Sequence, residues 1–281
     1  MLLQMRRFIV LLLCSFTLFC LPSQAKLIKV LAIGNSFSQD AVEQYLFELA
    51  KAQGDSLVIG NAFIGGCSIE RHYNNLRNET PDYAYRKVIG GIKAEHNRVT
   101  LQQIIRDEPW DIISFQQVSQ NSGLPDSFTY LLSLMRLVKT YCSNLHTQFV
   151  WHMTWAYAND FASDRFAIYE YNQHEMYSAI VGAMHTVLPS TGIKRIIPSG
   201  LAIQLARNHF GDVLNRDGFH LSYTTGRYIA ACTWCEFLTG RNVDGNRYHP
   251  DTITDEDAQY CQQAAHEAIF MQRQGRYSVG F

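Results

Sequence analysis

Leu27-Ile28-Lys29-Val30-Leu31-Ala32-Ile33-Gly34-Asn35-Ser36-Phe37-Ser38 is the stretch whose reading decides the fold. An apolar, β-rich run stops abruptly at a glycine, and polar residues follow at once. A continuously apolar strand is what a parallel sheet covered on both faces requires. Beyond the glycine, Phe37, Ala41, Val42, Tyr45, Leu46, Leu49 and Ala50 recur with the 3.6-residue period of one helix face. The stretch reads as a strand, a tight turn and a helix.

The alternation continues outward. Further strands are expected at about 57–63, 110–115, 147–153 and 193–197, with helical patterns over 128–142, 164–187, 200–209, 222–239 and 255–273. Strands alternating with helices predict an α/β fold, a five-stranded parallel sheet with helices on both faces. Residues 77–98 and 241–254 are polar, break the alternation and read as surface excursions. No Ser/Gly linker, low-complexity tract or internal repeat divides the chain, so residues 26–281 read as one domain.

Residues 1–25 are set apart from the fold. Arg6 and Arg7 precede an apolar run from Phe8 to Leu21, and Ser23-Gln24-Ala25 offers small residues for cleavage. This is the pattern of a secretory signal peptide, which predicts a secreted or periplasmic protein. The apolar run falls short of the roughly 20 residues that span a bilayer, and no later stretch is long enough, so stable membrane insertion is not expected. The remaining chain has 22 basic against 25 acidic side chains, a net charge of −3, and no basic stripe. That argues against nucleic acid as a partner.

Five cysteines follow the leader: Cys67, Cys142, Cys232, Cys235 and Cys261. This is too few for a disulfide scaffold. Cys232-x-x-Cys235 has redox spacing but falls in the middle of a helix, away from the N-terminal dipole that activates such pairs, and reads as packing. The histidines outside the C-terminal loop have no metal-ligand spacing, and no metal is expected.

Ligands of open parallel α/β sheets bind at the carboxyl ends of the strands. The polar candidates fall there: Gly34-Asn35-Ser36 after the first strand, Gly65-Gly66-Cys67-Ser68 after the second, Gln116-Gln117 after the third, and Thr154-Trp155-Ala156-Tyr157 after the fourth. Asp217-Gly218-Phe219-His220 follows the fifth strand and its helix. Ser36 has two readings, a helix cap or a nucleophile. Asp217 and His220 likewise form either a loop ion pair or the acid and base of an acyl-transfer site.

Together the blocks resemble the SGNH (GDSL) hydrolase superfamily, and more closely its secreted bacterial branch of uncharacterised domains beginning Gly-Asn-Ser-Phe-Ser. Gly34-Asn35-Ser36-Phe37-Ser38 matches the nucleophile block, with Asn35 in place of the usual aspartate; Gly66-Cys67-Ser68 matches the second block, and Asp217-Gly218-Phe219-His220 the last. The resemblance implies a three-layer α/β/α flavodoxin-like fold, a Ser36–His220–Asp217 triad and no cofactor. It implies oxyanion donors at the backbone of Ser36 and Gly66. The family's third block, Gly-x-Asn-Asp, is missing after Phe115. Gln116 is expected to replace its asparagine as the third donor, with Gln117 and Asn121 as alternates. Trp155 is expected as a pocket wall. The expected activity is hydrolysis of a carboxylic ester, with O-acyl groups on carbohydrate preferred as substrate. A lipase-like acylhydrolase or thioesterase, or a non-catalytic glycan-binding relative, are the alternatives.

Overall fold

The structure is a computed structural model and describes residues 25–279. All but the last residue of the expected signal peptide lie outside the described residues.

The opening stretch folds as read. Strand β1 (Leu27–Gly34) is buried along almost its whole length and runs into helix α1 (Ser36–Val42). The helical pattern through residue 50 does not continue as one helix. Tyr45 adopts a φ of 64°, in the left-handed region, and splits it into α1 and α2 (Leu46–Ala52). The Tyr45 hydroxyl donates to the carbonyl of Tyr223 at 2.6 Å, so a contact from the far end of the chain accompanies the break.

β2 (Ser56–Phe63) and α3 (Ile69–Arg77) follow, then β3 (Tyr83–Ile89) and β4 (Ile92–Val99), then α4 (Leu101–Asp107) and β5 (Ile112–Phe115). The second half runs α5 (Leu131–Tyr141), β6 (Gln148–His152), α6 (Asp164–Ala167), α7 (Gln173–Thr191), β7 (Ile196–Ile197), α8 (Ser199–Phe210), α9 (Thr225–Thr239) and α10 (Asp255–Arg273). The sheet order is β4-β3-β2-β1-β5-β6-β7. Strands β2, β1, β5, β6 and β7 pair in parallel, and β3 and β4 add an antiparallel edge.

The sheet is therefore seven-stranded and mixed, not the five-stranded parallel sheet expected. The two additional strands form a hairpin within residues 77–98, which had read as a surface excursion. β4, Ile92-Lys93-Ala94-Glu95-His96-Asn97-Arg98-Val99, is exposed along nearly all its length, so no apolar alternation marks it. It is also the edge of the sheet, where charged side chains discourage pairing with other chains. Its one local signal is Gly90-Gly91, with φ of 60° and 83°, the two left-handed positions of a tight hairpin turn.

Helices cover both faces. α1 and α2 pack on β2 and, with α8 and α10, against α9; α3, α4 and α5 form a second group. The central strands are accordingly apolar throughout, and the buried apolar side chains form a contiguous cluster. This arrangement brings the loops after β1, β2 and β5 side by side at one edge.

Burial separates two substitutions. Leu31→Ala, at a fully buried position of β1, is expected to lower unfolding free energy by about 2–5 kcal/mol. Ile92→Ala, 77% exposed on β4, should change it by no more than about 0.5 kcal/mol. Chemical denaturation of the two variants checks this difference.

Candidate active site

The turn between β1 and α1 determines what Ser36 is free to do. Asn35, not Ser36, caps the helix: its Oδ1 accepts the N–H of Phe37 at 3.0 Å. Ser38 is also engaged, its hydroxyl proton shared between Asn61 Oδ1 and the Asn35 carbonyl, each 2.8 Å from Oγ. Ser36 forms no side-chain hydrogen bond among the described residues, and it lines a cleft of about 450 Å³. Gly34 is required beside it, because a Cβ there would lie 2.5 Å from the Ser38 hydroxyl.

His220 lines the same cleft. Its Nδ1 donates to Asp217 Oδ2 at 2.7 Å, which fixes the tautomer and leaves Nε2 as the acceptor. Asp217 Oδ1 receives the N–H groups of His220 at 2.8 Å and Phe219 at 3.3 Å. Partial burial raises the Asp217 pKa, but these hydrogen bonds, that from His220 first, outweigh it and hold the carboxyl below its ordinary value. Gly218, with φ of 85°, permits the turn between Asp217 and His220. Ser36 and His220 share the cleft without a hydrogen bond between them.

The two chain segments are held together from behind. Asp40, one turn after Ser36 on α1 and fully buried, accepts the N–H of Leu221 at 2.8 Å. It also pairs with Arg216 at 3.1 Å and Arg227 at 2.5 Å. Arg216 N–H in turn donates to the His220 carbonyl at 2.9 Å. The helix that carries Ser36 is thus tied to the loop that carries His220.

Trp155, expected as a pocket wall, is fully buried and absent from the cleft lining. Its ring stacks on Phe37, with centroids 4.2 Å apart and planes 5° from parallel. Its Nε1 donates to the Phe219 carbonyl at 2.8 Å. It braces the residues after Ser36 and before His220, so it is a support beneath the site.

Gln116, expected as an oxyanion donor, also faces inward and does not line the cleft. The Phe37 N–H fixes Asn35 Oδ1 as an acceptor, so Gln116 Nε2 is the donor to it, at 2.8 Å. Gln116 Oε1 then accepts His152 Nδ1–H at 2.9 Å, and His152 Nε2 accepts the Ser199 hydroxyl at 3.0 Å. Asn35 Nδ2 completes the chain on the Cys67 carbonyl at 3.0 Å, next to Gly66. Gln116 therefore orients Asn35, and through it the turn after β2. Gly66 lines the cleft, its φ of 61° being a conformation that favours glycine. Of the alternates, Gln117 is engaged with Ile69, Val118 and Ser127, and Asn121 is outside the cleft lining. Gln120 lines the cleft and forms no side-chain hydrogen bond among the described residues. The sequence marked the Gln116-Gln117 pair but gave no sign that the next glutamine faces the cleft.

The five cysteines among the described residues are free thiols. Burial pushes Cys232 well up and Cys235 to about 12, which keeps both protonated in the body of α9. Among the described residues, no group of three or more His, Cys, Asp or Glu is placed to hold a metal ion, and no helix is long and apolar enough to cross a membrane.

Comparison with known proteins follows this geometry. The profile of a family described as a domain of unknown function, DUF4886, matches residues 29–268. A DUF4886 family protein from Bacteroides uniformis is 51% identical, with a TM-score of 0.85 over 88% of this chain and 96% of its own. A candidate SGNH hydrolase from Slackia heliotrinireducens shares the fold at 18% identity, with a TM-score of 0.50 over 76% of this chain and 100% of its own. None of the curated proteins compared matches the chain.

Two outcomes test this arrangement. Asp40→Asn leaves two guanidinium groups around a neutral amide and should cost about 3–5 kcal/mol of stability, the usual effect of breaking a buried pair; denaturant titration measures it. Burial also lowers His152 from an ordinary 6.5 to about 3, so it stays neutral when folded while the unfolded chain takes up a proton. Its contribution is complete above pH about 6.5 and is lost as pH falls toward 3, by up to about 1.4 kcal/mol per pH unit. His72, lowered to about 3 by burial and by Arg71, adds a slope of the same sign. Denaturation at stepped pH should show stability falling below pH 6.5, with a shallower fall in His152→Gln.

Proposed function

The chain belongs to the DUF4886 family, and we propose that it is a serine esterase, secreted or periplasmic, that removes O-acyl groups from carbohydrate. The observation that carries this reading is the shared cleft. A serine hydroxyl without an intramolecular partner opens into the same space as a histidine whose far nitrogen is held by a carboxylate. A cap or a loop ion pair needs no such convergence.

In this mechanism Ser36 Oγ attacks the ester carbonyl while His220 Nε2 takes its proton. Asp217 orients the ring and stabilises the imidazolium. The tetrahedral oxyanion is met by the backbone N–H groups of Ser36 and Gly66. Gln120 is the side chain within the cleft that can serve as the third donor, in the role first expected of Gln116. His220 then returns the proton to the leaving alcohol, and water repeats the cycle on the acyl-enzyme. These steps need no cofactor.

The cleft lining favours a polar substrate. Its apolar side chains are Phe63, Val118 and Phe219, too few to form an extended groove for an acyl chain. Asparagine, glutamine, serine and arginine make up most of the other lining residues, which suits hydroxyl-rich ligands.

A short-chain chromogenic acetate ester tests the reading. Wild type should hydrolyse it, and Ser36→Ala should lose about 10³-fold or more in kcat, as removal of a triad nucleophile does. Asp217→Asn should lose about 10³–10⁴-fold. Equal rates in wild type and Ser36→Ala would overturn the assignment.

A further inference from the structure

Arg165 and Arg216 both line the cleft that holds Ser36, and no carboxylate-bearing residue does. Arg165, exposed on α6, forms no ion pair among the described residues. Arg216 and Arg227 share one carboxylate, that of Asp40, so this cluster carries an excess positive charge. Asp217, the acid nearest the chemistry, is turned to His220 Nδ1 and two backbone N–H groups. The positive charge around the cleft is therefore incompletely balanced from within the protein.

Its position indicates which part of the substrate it faces. Gly65 and Gly66, which end the β2 side, form one flank of the cleft; Ser119 and Gln120, after β5, line the other. Arg165 belongs with the His220 side, because the segment just before it packs on the His220 loop: the Phe161 and Phe219 ring centroids are 5.2 Å apart and the Ala158 N–H donates to the Gly218 carbonyl at 2.7 Å. Arg216 is tied through its backbone to the His220 carbonyl. His220 must hand its proton to the leaving alcohol, so the alcohol portion lies on the His220 side, opposite the oxyanion donor Gly66. A guanidinium offers a planar fork of donors that matches a carboxylate.

We propose that the cleft selects esters whose alcohol portion carries a carboxylate, as an acidic sugar does, with Arg165 binding that group and the cluster of Arg216, Arg227 and Asp40 adding to the positive field. This inference rests on the esterase reading and narrows its substrate class. It predicts that a neutral acetate is a poor substrate by comparison, and that the preference weakens as salt screens the charges.

The test uses the full chain and three esters of matched leaving-group pKa. One is a neutral aryl acetate, one an aryl acetate with a carboxylate on the phenol, and one an aryl hemisuccinate with the carboxylate on the acyl side. In wild type the ratio of kcat/KM for the phenol-carboxylate ester over the neutral ester should be roughly ten- to hundredfold, the usual yield of one charge-assisted contact. Arg165→Gln should bring that ratio down about tenfold, and added sodium chloride should lower it in wild type. A ratio near one in wild type, with hydrolysis of the neutral ester still dependent on Ser36, overturns the anionic-substrate inference and leaves the esterase reading intact. A higher ratio for the hemisuccinate overturns the assignment to the alcohol side. Absence of Ser36-dependent hydrolysis of all three esters overturns the esterase reading and this inference with it.

Discussion

The Asp40 carboxylate is the constraint on which the site depends. Ser36 and His220 are far apart in sequence, on a helix after the first strand and on a loop beyond the last. A buried charge one turn along that helix takes the Leu221 N–H and the Arg216 and Arg227 guanidinium groups. A desolvated carboxylate is tolerated only where charge partners and hydrogen bonds surround it. Both guanidinium groups also lie over the Tyr223 ring, at 4.6 Å, which keeps them in place from the other side. The requirement to satisfy Asp40 therefore fixes the separation of Ser36 and His220. Trp155 reinforces it from the fourth parallel strand through Phe37 and the Phe219 carbonyl.

A second network holds the other side. Ser199, His152, Gln116 and Asn35 form a directed chain of hydrogen bonds ending on Cys67: Ser199 donates to His152, and each later member accepts from the one before and donates to the next. The direction is set at one end by a backbone N–H, that of Phe37, and the neutrality of buried His152 preserves it. Networks of this kind, fully satisfied, give a buried polar region a single arrangement. Here that arrangement holds the turns after β1 and β2, so Ser36 and Gly66 face one space.

Much of this was legible in the sequence, and the part that was not has physical reasons. The apolar run from Leu27, the glycine that ends it and the helical period that follows located the first strand and turn correctly. The parallel strands were visible because strands covered on both faces must be apolar throughout. The β3–β4 hairpin was missed because an exposed edge strand has no such requirement. The positions of Ser36, Gly66, Asp217 and His220 followed from counting strands. The directions of Gln116 and Trp155 did not, because residue type and position at a strand end do not say which way a side chain turns. Nothing in the sequence singled out Asp40, because its partners, Arg216 and Leu221, are some 180 residues away. Separation in sequence also hid Arg165, which lines the cleft from the short helix α6.

The fold supplies position, and the chemistry follows from which groups it leaves unengaged. Nearly every polar side chain near the turn is committed to another: Asn35, Ser38, Gln116, Gln117 and Asp217 all have partners within the protein. The Ser36 hydroxyl is not committed, and neither is the outer nitrogen of His220. Covalent trapping tests most directly whether these two act together. Treatment of the full chain with a fluorophosphonate, followed by peptide mass spectrometry, should place the adduct on the peptide at Ser36, with labelling much slower in His220→Ala. Absence of an adduct at Ser36, or labelling at the same rate without His220, would contradict an activated nucleophile in this cleft.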